Sequence, residues 1–134
     1  EWYFGYKYPN NDLNCEDWRS RDAMWDQTRF ALEFFHRHLP FVEMKGDDEL
    51  TSAKDAYCFA AEGKVYAVYL PSGEATTIKL PAGDYTAAWY NPRMGGELLR
   101  GSVSKLTGPG EPSLGTPPGE AGKDWVALIH AVPK

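Results

Sequence analysis

Apolar or neutral side chains recur at Trp18, Met24/Trp25, Thr28, Ala31/Leu32, Phe35 and Leu39, the three-and-four spacing of one helix face. The opposite face carries Arg19, Asp22, Asp26, Arg29, Glu33 and Arg37, which can remain in water. The pattern predicts one long amphipathic helix within Glu16–Pro40. Asn14, Glu16 and Asp17 supply caps and negative charge to its free N–H groups, and Pro40 stops it. No other stretch has this period, so the helix must bury its aromatic stripe against something built differently. Before it, Glu1–Tyr8 (EWYFGYKY) reads as a short aromatic strand, and Pro9–Cys15 (PNNDLNC) as a turn-rich loop.

After Pro40 the period drops to two. Short strands are predicted at Tyr57–Ala61, Lys64–Leu70, Thr76–Leu80, Tyr85–Asn91, Glu97–Val103 and Asp124–Val132, with Gly, Pro, Asn and Ser at the junctions. Lys64–Leu70 is apolar on both sides and should be central, with Asp124–Val132 as its partner. Gly108–Lys123 reads as a long irregular surface loop. The fold class is mainly β: an antiparallel β-sandwich of about six to eight strands with one long N-terminal amphipathic α-helix packed beside it.

A chain of 134 residues suffices for one domain with a real core, or for one domain plus a fragment of another. The net charge of -5 argues against a nucleic-acid partner, which would want a basic face. No apolar run reaches the roughly 18–20 residues of a membrane span. The chain opens on Glu1, without Met and in mid-pattern, so it is expected to belong to something longer. Cys15 lies in a polar loop and Cys58 in a strand, where a thiol serves as a small buried hydrophobe, so a disulfide between them is not expected.

Little in the chain suggests catalysis. Glu1, Asp12, Glu16 and Asp17 cluster near the N-terminus, but no spacing forces any two into the pairing of about 5–10 Å that glycoside hydrolysis requires. They read as loop and capping acids. His36 and His38 lie two apart on a helix and cannot chelate one metal, and His130 stands alone in a strand. No nucleophile elbow or phosphate-cradling glycine loop is present, and neither a metal nor a cofactor is expected. Aromatic residues are more suggestive, since flat rings with polar tips line sugar and peptide clefts. Trp2, Tyr3 and Tyr6 are candidate cleft-lining residues. Trp89 and Tyr90 alternate across a strand, so one of them is expected to face outward as a binding surface. Trp18, Trp25 and Trp125 are expected to pack internally.

The stretch from EWYFGYKYPNNDLNCEDWRSRD to FVEM resembles the end of the apiosidase-like (β/α)₈ barrel of a bacterial glycoside-hydrolase-like family. GKVYAVYLPSGEATTIKLPAG, YTAAWYNPRMGG and DWVALI resemble the C-terminal β-sandwich catalogued as a collagen-binding domain of a collagenase. The resemblance implies that residues 1–44 are the terminal strand, loop and helix of a barrel, and that residues 45–134 are an accessory sandwich. It further implies a secreted or periplasmic parent that is a glycoside hydrolase, with the barrel as partner in the same chain. The sandwich would bind a polysaccharide or collagen, or buttress the barrel. No catalytic residue carries over, because the barrel carboxylates would come from earlier strands. The alternative is that Glu1, Asp12 or Asp17, with the N-terminal aromatics, lines the active-site cleft of the full-length enzyme.

Overall fold

The computed structural model describes residues 22–134. Helix α1 spans Asp22–His38 and ends just before Pro40, as its sequence predicts. Arg29 pairs with Asp26 at 3.4 Å and with Glu33 at 3.3 Å on the exposed side, worth a few tenths of a kcal/mol each. The helix start expected at Glu16 lies outside the described residues, as does Trp18.

Six antiparallel strands follow, and they form one sheet. They are β1 (Lys45–Gly46), β2 (Tyr57–Ala61), β3 (Val65–Leu70), β4 (Leu80–Tyr90), β5 (Lys105–Gly110) and β6 (Trp125–Ala131). Their order is β1-β2-β3-β6-β4-β5, so β3 and β6 form the central pair expected from their apolar character. Both are buried on alternate positions of both sides. Tyr66, Val68, Leu70, Trp125, Ala127 and Ile129 enter one core, while Val65, Ala67 and Leu128 enter a second. A sheet that is apolar on two faces needs two covers.

The first cover is a layer of short bridged segments, which makes the domain sandwich-like. Thr51 bridges Ile78, Thr77 bridges Ser113, and Leu99 bridges Trp89. These segments deliver Ile78 and Leu114, both fully buried, to the first core. Thr76 ties the layer together: its buried Oγ1 accepts the Ser52 and Ala53 N–H groups at 3.2 Å and donates to the Thr77 carbonyl. The second cover is α1. Phe34 stacks on Tyr90 at 4.7 Å between centroids, and the Tyr90 hydroxyl donates to the Phe30 carbonyl at 2.9 Å. Gly95 lies under Phe30 with φ 64°, and a Cβ there would overlap the Phe30 ring.

The strand boundaries depart from expectation in three places. Thr76–Leu80 and Tyr85–Asn91 were expected as two strands around a Pro81–Asp84 turn. Instead Thr77 and Ile78 make only isolated bridges, and β4 starts at Leu80 and continues through the expected turn, with a register shift between Leu80 and Gly83 that leaves the donor-less Pro81 in a bulge. Glu97–Val103 forms no strand; Leu99 bridges Trp89, Ser102 N–H donates to the Thr116 carbonyl, and Gly101 passes so close to the Trp89 indole that no Cβ would fit. The presumed loop from Gly108 instead begins as the end of β5 and continues into the core-covering layer. On the helix, Phe34 rather than Phe35 turns fully inward, while Trp25, Leu32 and Phe35 keep substantial exposure. The tyrosine at position 90 sets that rotation.

Replacing Phe34 with Ala should cost about 3–5 kcal/mol through transfer and cavity terms. Tyr90→Phe, losing one hydrogen bond, should cost about 0.5–1.5 kcal/mol. Urea unfolding measures both, and unchanged midpoints would show that α1 does not belong to the cooperative unit.

Candidate ligand-binding groove

The hairpin β2–β3 closes through Ala61↔Val65, and this register sets Tyr57 opposite Tyr69 and Phe59 opposite Ala67. All four project on the side that α1 covers only in part. Between the helix and this side lies an open apolar groove of about 490 Å³. Phe34 and Phe35 form its helical wall, Phe59, Ala67 and Val126 its sheet side, and Tyr57 and Tyr69 its open rim. The two tyrosine rings lie 6.3 Å apart and are inclined by 32°, giving two neighbouring platforms. Tyr57 is 59% exposed and Tyr69 37%.

Polar groups hold the rim in place. The Tyr69 hydroxyl donates to Asp124 Oδ2 at 3.2 Å, and Asp124 Oδ1 lies 2.8 Å from Arg93 Nε. Arg93 also donates to the Asp124 carbonyl at 3.2 Å, pairs with Glu120, and lies over the Trp125 ring at 5.3 Å. Burial, then the Asp124 charge and hydrogen bond, push the Tyr69 pKa up, so its hydroxyl remains a donor. Asp48 is the one carboxylate among the described residues lining the groove, and its Oδ1 accepts the Cys58 N–H at 2.8 Å.

The one thiol among the described residues lining the groove is held protonated. Cys58, the nucleophilic type nearest the groove, is pushed up to about 12 by burial and by the charges of Asp47, Asp48 and Glu62. Other acids are engaged structurally: Asp47 accepts the Glu49 N–H, and Asp84 accepts the Thr107 hydroxyl. Among the described residues no group of three or more His, Cys, Asp or Glu side chains could hold a metal ion. No helix among them is long and apolar enough to cross a membrane.

Trp25, expected to pack internally, is 46% exposed, and the structure also corrects the outward-facing ring expected on β4. Trp89 and Tyr90 were expected to leave one ring facing outward, yet they are 1% and 2% exposed. Alternation does separate them, but each side of β4 is covered, Trp89 by the bridged layer and Tyr90 by α1. Trp2, Tyr3 and Tyr6 lie outside the described residues, as do Glu1, Asp12, Cys15 and Asp17. Trp125 is core, as expected. Tyr57 and Tyr69, which sequence reasoning passed over, carried a readable signal: a hairpin closed around Glu62–Lys64 pairs them across the strands.

His36 packs against Phe41 and His38 against Phe34, at 6.0 and 5.4 Å between rings. Burial and Arg37 lower the His38 pKa against the opposing pull of Glu97, while burial and His38 lower that of His130.

Residues 46–130 match the family described as "Putative collagen-binding domain of a collagenase". The chain belongs to this family. The match to the collagen-binding family takes in β2 to β6 and the groove's sheet side, but stops short of α1. No curated protein matches the chain. Several solved structures share its fold, two glycoside hydrolases among them. One, described as a glycoside hydrolase, is 15% identical with a TM-score of 0.73, covering 96% of this chain and 31% of its own. The other, a glycoside hydrolase family 5 protein from Bacteroides vulgatus ATCC 8482, is 16% identical with a TM-score of 0.70, covering 97% and 30%. The chain thus spans about three tenths of the length of these proteins.

Two measurements check the local chemistry. Iodoacetamide near pH 8 should leave Cys58 unmodified in the native protein and alkylate it only in denaturant, as read by peptide mass mapping; native labelling would contradict its burial. Because both histidines titrate below 6.5 when folded, the unfolded chain binds more protons, so stability should fall as pH drops below about 6.5. His130→Gln should flatten that slope in urea titrations, and an unchanged slope would remove His130 from the linkage.

Proposed function

We propose that this chain is a non-catalytic C-terminal accessory domain of a secreted bacterial glycoside-hydrolase-like protein, seated against a catalytic (β/α)₈ barrel in the same parent. On this reading residues 1–44 close the barrel and residues 45–134 form the accessory domain. The supporting observation is the second apolar side of α1. Phe34 faces the sheet, yet Leu32 lies on the opposite side and is 56% exposed. Val42, in the 3₁₀ turn beyond the helix, is 90% exposed. A helix apolar on two sides suits a position between two packed layers. The likeness to much longer glycoside hydrolases supports a catalytic domain as the occupant of that outer side.

Leu32→Glu and Val42→Glu should leave the isolated chain's melting temperature nearly unchanged, since exposed substitutions rarely move stability by more than about 0.5 kcal/mol. In the full-length parent the same changes should lower the melting temperature of the catalytic domain. Equal melting of parent and variants would sink the docking role.

A further inference from the structure

We propose that Tyr57, Tyr69 and the groove behind them form a binding site for a neutral oligosaccharide. This goes beyond the docking role of α1 and does not depend on it, because the rings lie on the sheet. Ligand sites are concave and mostly apolar, with a few placed polar groups, and about 490 Å³ falls within their usual range. Two exposed rings 6.3 Å apart offer successive platforms for the C–H faces of adjacent sugar units.

The polar groups at the rim select the ligand class. Asp48 and the Asp124 carboxylate are acceptors, each with lone pairs beyond those already used by the Cys58 N–H, Tyr69 and Arg93. Sugar hydroxyls donate to such acceptors. A proline-rich polypeptide of the collagen type presents mainly carbonyl acceptors, with donors only at its hydroxyproline hydroxyls, so it offers these carboxylates fewer protons than a sugar does. Uronic-acid sugars would add like charge to a rim that is already acidic, in a chain of net charge -5. Stacking and acceptor placement together favour neutral glycans over both. The Tyr69–Asp124–Arg93 chain fixes one platform before any ligand arrives, which reduces the ordering cost of binding.

Isothermal titration of the chain with cellohexaose, xylohexaose and mannohexaose tests this, with trigalacturonic acid and a Pro-Pro-Gly repeat peptide as comparators. At least one neutral hexaose should bind saturably. Tyr57→Ala should weaken it by about tenfold or more, and Tyr57→Phe should retain most of the affinity. Tyr57 is the primary position because its exposure makes a folding defect improbable, and circular dichroism melting verifies that each variant folds. Tyr69→Ala should act in the same direction. Silence with all three neutral sugars would overturn the proposal. So would binding unaffected by Tyr57→Ala, or tighter binding of the peptide or the uronate at these rings. None of these outcomes bears on the docking role, which is read from the parent's melting.

Discussion

The constraint on which the rest of this structure depends is the two-sided burial of β3 and β6. Val65 to Leu70 and Trp125 to Ile129 present apolar groups alternately to both sides, so neither side of the central sheet can be left in water. One side is closed by segments with little regular structure, held by isolated bridges and by the buried hydroxyl of Thr76. The other is closed by a helix packed through Phe30, Phe34 and, just past its end, Leu39. Tyr90 holds α1 at two points, with a ring that stacks on Phe34 and a hydroxyl that anchors the Phe30 carbonyl.

The groove is a by-product of that arrangement. A straight helix cannot follow a twisted sheet along its whole width, so contact is close at Phe34 and opens toward Tyr57 and Tyr69. What makes the opening more than a packing gap is its edge. Asp124 sits immediately before β6, and Arg93 in the turn after β4; the pair links two chain segments that the sheet brings side by side. Glu120 and the Trp125 ring complete the arginine's surroundings. A tyrosine held this way presents a defined surface without requiring a rigid loop beneath it.

Much of the sheet could be read from the chain because alternation and turn chemistry are local. Tyr57–Ala61, Val65–Leu70 and Trp125–Ala131 follow from period-two patterns bounded by turn residues, as does the central pairing of the last two. The failures are tertiary. Pro81 and Gly83 look like a turn, yet a bulge absorbs them once β5 is alongside. The Gly/Pro-rich segment looks solvent-bound, yet Leu114 is needed to fill space above Ile78. Helical periodicity located the apolar side of α1 only to within one position, since Phe34 and Phe35 are equally apolar and only the partner, Tyr90, decides between them. Trp89 and Tyr90 were misjudged for the same reason: alternation says that two residues face opposite ways, not that either way leads to water.

The mismatch between the family match, which begins at Gly46, and the second core, which needs Phe34 and Leu39, separates two ideas of a domain. Inheritance has kept together a unit of strands; folding requires those strands plus a helix that comes before them. An excision at residue 46 would respect sequence kinship and leave Ala67, Tyr90 and Leu128 facing solvent. Such a piece would carry an open apolar sheet face, the kind of surface through which isolated modules stick to one another.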